Sequence, residues 1–121
     1  MKTLREKIGK IRIFSGLTPE DQAKLLDKME ECFFSAGAII FSQGDPSDAF
    51  YFIESGAVQV VVKDAAGRPE AVSELGPQAW FGERGLVTGQ LRSATVTTVK
   101  ETVLWKLSRG AWDEVVKARL S

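Results

Sequence analysis

The sequence predicts a mainly β fold with flanking helices: an eight-stranded antiparallel jelly-roll barrel with two N-terminal helices and a C-terminal helix. Three observations carry this. Apolar residues recur with a period of two from Cys32 to Leu107. Turn-forming residues interrupt that stretch at short, even intervals, at Gly37, Gly44-Asp45-Pro46, Ser55-Gly56, Ala66-Gly67-Arg68-Pro69 and Gly76-Pro77. On either side the spacing becomes helical. Many short, evenly spaced strands are the mark of an antiparallel sandwich or barrel. With 121 residues, 44% of them hydrophobic, the chain suits one domain around one core.

In order along the chain, Leu4, Ile8 and Ile11 recur at helical spacing. Ile13-Phe14-Ser15-Gly16-Leu17 reads as a tight connection. Thr18 is a good N-cap, Pro19 suits the first helical position, and Glu20 and Asp21 put negative charge in the first turn. Leu25, Leu26 and Met29 give this second helix a buried stripe ending near Met29. The expected strands are Cys32–Phe34, Ala38–Ser42, Phe50–Glu54, Val58–Lys63, Ala71–Leu75, Ala79–Phe81, Ser93–Val99 and Thr102–Leu107. A last helix follows Ser108, with Trp112, Val115, Val116 and Leu120 on its apolar face. Residues 1–30 thus form a helical segment, 31–108 the barrel and 109–121 the C-terminal helix. Phe33, Phe34, Phe41, Phe50 and Phe52 are expected in the core, and Trp80, Trp105 and Trp112 as packing residues.

Composition excludes several function classes. Lysine plus arginine equals aspartate plus glutamate at 16 each, so no broad basic field draws nucleic acid or an anionic membrane. The chain has no histidine, which removes Ser-His-Asp and Cys-His catalysis and histidine-ligated metals, including those of cupin-type enzymes on jelly rolls. Cys32 is the single cysteine; it fits a reducing compartment and reads as buried packing. Residues 1–10 are charged and lack the apolar stretch of a signal peptide, and no apolar run reaches the ~20 residues that span a bilayer. A cytoplasmic, non-enzymatic protein without cofactor or metal is the expectation.

The stretch Trp80 to Val96 carries the chemistry. Gly82, Gly85 and Gly89 allow sharp turns and a close approach of backbone to ligand. Successive N–H groups on such a turn, or at the start of a one-turn helix, bind anions. Arg92 adds a permanently charged planar fork matched to phosphate. Glu83 is acceptor-only: it takes hydrogen bonds from hydroxyls and repels phosphate. An acid and a cation held apart by a loop suit a ligand with both hydroxyls and a phosphate, a ribose phosphate.

Phe81-Gly82-Glu83-Arg84-Gly85-Leu86 followed by Arg92-Ser93-Ala94-Thr95-Val96 resembles the phosphate-binding cassette of the cyclic nucleotide-binding domain family. The Glu83-to-Arg92 spacing is similar to that in the regulatory domains of protein kinase A and protein kinase G. The run Gln43 to Gly56 resembles the turn and strand that precede the cassette in that family. The resemblance spans nearly the whole chain and places the cassette at 81–94. It implies that Glu83 binds the ribose 2′-hydroxyl and Arg92 the cyclic phosphate. It also implies that backbone groups at Gly82, Gly85 and Leu86 line the phosphate, that Ser93 adds a hydroxyl and that Ala94 packs close to the ligand.

The implied function is a regulatory sensor of cGMP or cAMP, acting on a protein kinase catalytic domain in the same or another chain. Ligand would tighten the cassette, shift Leu86 against the flanking helices and reposition the C-terminal helix. The alternative is a degenerate domain that binds a nucleoside or nothing and serves protein interaction; intact Glu83 and Arg92 count against it. The chain departs from the family in three ways. Gly85 stands where alanine or serine is usual. Ser73 stands where some cGMP sites use a guanine-reading arginine, although Ser93 suits cGMP. The lid helix that caps the base is not seen before Ser121, which leaves an aromatic side chain as a candidate cap. Arg84 reads as a surface or partner-contacting residue.

Overall fold

The structure, a computed structural model, describes the backbone of residues 2–120 and the side chains of residues 4–83 and 85–116. Helix α1 (Lys2–Lys7) runs into a 3₁₀ turn, Ile8–Lys10, and buries Leu4, Ile8 and Ile11. Helix α2 (Pro19–Asp27) starts as the sequence predicts: Thr18 Oγ1 accepts the N–H of Asp21 at 3.1 Å. It stops before Met29, because the Lys28 N–H turns back to the carbonyls of Leu25 and Leu26.

Eight strands follow. They are β1 (Glu30–Phe34), β2 (Ile39–Phe41), β3 (Ala49–Ser55), β4 (Val58–Lys63), β5 (Pro69–Leu75), β6 (Trp80–Phe81), β7 (Thr95–Thr98) and β8 (Thr102–Ser108), with helix α3 (Glu83–Thr88) between β6 and β7. Helix α4 (Arg109–Leu120) closes the described chain. All pairings are antiparallel, and they form two four-stranded sheets ordered β1-β8-β3-β6 and β2-β7-β4-β5. The eight-strand jelly-roll expectation holds in this two-sheet form; the pairings among the described residues do not join the sheets into a closed barrel.

Strand β3 organises the interior because both of its faces are covered. Ala49, Tyr51 and Ile53 point between the sheets and meet Val58, Phe81, Val96 and Leu104. Phe50 and Phe52 point the other way and meet a helical layer built from Leu4, Ile11, Phe14, Leu25, Leu86 and Trp112. The Phe14 ring stands edge-on to Phe50 at 5.2 Å and tilted to Trp112 at 5.4 Å. Strands next to one covered face alternate inward and outward residues; β3 reads as an unbroken apolar run because it has no outward face.

One core expectation fails. Phe33 is 72% exposed, whereas its neighbour Phe34 packs between the sheets. The two alternate across β1, an edge strand whose outer face the helices leave open at Phe33. Trp112 is buried, and Trp80 and Trp105 pack against the helical layer. The side chains of Leu120 and Arg84 lie outside those described.

Candidate functional site

The site is assembled where three segments meet. Strand β6 ends at Gly82, whose φ of +85° caps the start of α3. A β-carbon on Gly82 would lie 2.7 Å from Arg92 Nη1 and 3.0 Å from the Ala49 carbonyl, so both space and backbone angle demand glycine. Helix α3 ends at Gly89, at φ +72°, with its N–H on the Gly85 carbonyl. The chain then returns to the Gly44-Asp45 turn: Gly44 N–H donates to the Arg92 carbonyl and Arg92 N–H to the Asp45 carbonyl, both at 2.8 Å. Asp45 stiffens that turn by accepting the Ser42 N–H at 2.9 Å.

Arg92 is only 5% exposed. Its Nη2 donates to the Ala49 carbonyl at 2.7 Å and its Nη1 to the Gly82 carbonyl at 3.4 Å. Asp48 Oδ1 is 3.5 Å from Nη2, and the Phe41 ring lies beneath the guanidinium, 3.9 Å from Cζ to centroid. Phe41 belongs to an aromatic floor with Tyr51 and Phe81, the last two stacked at 5.2 Å. Burial pushes Arg92 below the usual guanidinium value, opposed by the charges of Tyr51 and Asp48. Its Nε is buried without a hydrogen-bond partner among the described residues. A buried cation with an unused donor suits an anionic ligand.

Arg92 faces a cavity of about 390 Å³. Gly82, Glu83, Gly85, Ser93 and Ala94 all reach it, as do Val60, Ser73, Leu75, Leu91 and Trp80 further along. Glu83, at the first turn of α3, is half-buried, and its carboxylate carries no ion pair among the described residues. The structure therefore brings the predicted acid and cation to one hollow.

The Leu86 side chain is 2% exposed and packs in the helical layer with Trp112 and Val115, as the expected contact with the flanking helices requires. One expectation needs correction. Gly85 is not at a sharp turn; it lies inside α3, and space alone explains it, as a β-carbon there would run into Ser47.

Sequence reasoning read Gly44 to Asp48 as a turn and missed four contributors. Ser47 lines the cavity, Asp48 and Phe41 hold Arg92, and Arg109 ties the cassette to α4. Arg109 Nε and Nη2 donate to the Ser47 carbonyl at 3.1 and 2.9 Å, Nη2 also meets the Gly85 carbonyl, and Nη1 reaches the Leu86 carbonyl at 3.4 Å. Its N–H donates to the Asp48 carbonyl at 2.7 Å. An arginine opening a helix after a strand was the one visible signal; its targets are carbonyls, which no side-chain pattern announces.

Fold and site together define a two-sheet β domain with flanking helices, whose cavity is shared by a buried cation and a half-buried carboxylate. The chain belongs to the cyclic nucleotide-binding domain family, matched over residues 31–119. It is 36% identical over 111 residues to a cAMP-dependent protein kinase regulatory subunit of Dictyostelium discoideum, covering 89% of this chain and 34% of that relative. The chain thus spans about a third of that relative's length. Among solved structures it is similar to the regulatory domain of Toxoplasma gondii protein kinase A with cAMP, with a TM-score of 0.82 and 26% identity, covering 94% of this chain and 43% of that one. It is also similar to the N-terminal domain of a transcriptional regulator from Streptomyces coelicolor, with a TM-score of 0.77 and 29% identity, covering 97% of this chain and 81% of that one. Among the described residues, no helix is long and apolar enough to cross a membrane.

Proposed function

We propose that this domain binds cAMP or cGMP in the cavity between α3 and the sheets, as a sensor and not as a catalyst. The observation that carries the reading is Arg92: a buried guanidinium at the cavity whose Nε has no partner among the described residues, sharing that cavity with the carboxylate of Glu83. Arg92 takes the cyclic phosphate and Glu83 the ribose 2′-hydroxyl. Gly82, Gly85, Ser93 and Ala94 shape the wall around them. The titratable groups do no proton transfer; no cofactor or metal is called for.

Binding is coupled outward through contacts already made. A phosphate that recruits Arg92 competes with the Ala49 and Gly82 carbonyls for its donors. The cassette then shifts, carrying Leu86, which is embedded in the helical layer with Trp112 and Val115 of α4. Arg109 transmits the same movement, since it grips Ser47, Gly85 and Leu86 while heading α4. Ligand selects one of two packings of α4 because it binds them unequally. The output we propose is control of a protein kinase catalytic domain, in keeping with the kinase regulatory relatives.

Calorimetry with cAMP, cGMP and the non-cyclic 5′-AMP tests the reading. Binding of a cyclic nucleotide with clear preference over 5′-AMP is expected. No heat from either cyclic nucleotide at millimolar ligand overturns it and favours a domain that serves protein interaction.

A further inference from the structure

Gly85 lies within α3 and needs no left-handed backbone. Glycine inside a helix is unfavourable against nearly every other residue, so its presence calls for a spatial reason. A β-carbon at position 85 would overlap the Cβ of Ser47 and lie 2.5 Å from Ser47 Oγ. Ser47 is itself only 7% exposed, and its hydroxyl donates to the Gln90 carbonyl at 2.5 Å, beyond the far end of α3. The Ser47 and Gly85 carbonyls accept from the same nitrogen, Arg109 Nη2. Both residues line the cavity that Glu83 and Arg92 share.

We propose that Ser47 is a positioning residue of the ligand site. Its side chain takes the volume that a cassette side chain at position 85 would fill, and its hydroxyl fixes the loop at Gln90. The two together set how deeply α3 seats against the turn between β2 and β3. That depth places Glu83 and Arg92 across one cavity. Only one side chain fits between the turn and the helix, so positions 47 and 85 are complementary in volume: a larger residue at one demands a smaller residue at the other. This rests on the cavity being the cyclic nucleotide site.

The test is a swap in the full chain, with Gly85→Ala, Ser47→Gly, the double variant and Ser47→Ala. Two measurements are made: amide hydrogen exchange of residues 85–90 without ligand, and calorimetry with cAMP and cGMP. Gly85→Ala is expected to speed exchange and to weaken cyclic nucleotide binding about tenfold or more, as over-packing of this size does. Adding Ser47→Gly is expected to restore most of both. Ser47→Ala keeps the β-carbon and loses only the bond to Gln90, so its effect is a few-fold, about that of one neutral hydrogen bond. Parent-like behaviour of Gly85→Ala overturns the proposal, as does a double variant no better than Gly85→Ala. Recovery of exchange without recovery of affinity overturns it too, by showing a purely structural contact. A parent that binds neither nucleotide refutes the functional reading instead, and the ligand-free exchange cycle still decides the pair.

Discussion

The two ends of the cavity are built differently. At the Arg92 end, contacts from β3, β6, α3 and the Gly44-Asp45 turn converge, and the guanidinium is 5% exposed over an aromatic floor. At the other end the wall is Val60 and Leu75, half-buried, with Ser73 and Leu91 exposed and β5 open to solvent along most of its length. Leu91 is 63% exposed. The first end holds its groups in one geometry before ligand arrives, so little ordering cost remains at binding. The second offers apolar surface and one hydroxyl without a fixed polar arrangement. On the function we propose, a ribose phosphate is therefore specified tightly, and a base loosely.

This contrast can be broken most severely at Arg92. Arg92→Lys loses the fork that spans the Ala49 and Gly82 carbonyls, and cyclic nucleotide affinity is expected to fall on the order of a hundredfold, as for one partner of a buried charged contact. Calorimetry measures it, with a thermal melt confirming the fold. Tyr51 gives a second probe of the same end. Burial, with the negative charge of Asp48 adding to it, pushes its phenol from 10.0 up to about 12. The unfolded chain releases this proton near pH 10 and the folded chain keeps it to about pH 12, so stability falls across that window, by about 2–3 kcal/mol. Tyr51 is the chain's single tyrosine, so phenolate absorbance reads it directly, and Tyr51→Phe should remove this part of the alkaline loss.

Glu83→Ala should weaken cAMP and cGMP about tenfold, the loss of hydrogen bonds to a charged acceptor, while leaving 2′-deoxy analogues nearly unchanged. Equal losses for both ligand sets would move Glu83 away from the sugar. The smallest effect belongs to the open end. Ser73→Arg places a fork where guanine O6 and N7 would accept it, and solvent exposure limits the gain in cGMP over cAMP to about tenfold or less. A competition titration with both nucleotides checks it. A larger shift would mean that the open end is more ordered than its exposure implies.

Much of the site could be read in the chain because it follows from local rules. Thr18 and Pro19 set a helix start through the hydroxyl and ring they carry. Gly82 and Gly89 punctuate α3 at positive φ, where glycine is the least strained residue. Glu83 and Arg92 sit a loop apart and reach the same cavity. Local rules failed where a partner came from far along the chain. Phe33 and Phe34 carry the same hydropathy, and only the cover over β1 decides which is inside.

The sequence by itself determined the eight-strand succession, the family and the acid–cation pair, since strand period, turn chemistry and loop spacing are properties of neighbouring residues. Tertiary structure alone decided that the strands part into two sheets, that Ser47 explains Gly85, and that Arg109 joins the cassette to α4. Those facts depend on the volume and carbonyl direction of segments distant in sequence. Neither quantity is written in the identity of the residue that must meet it.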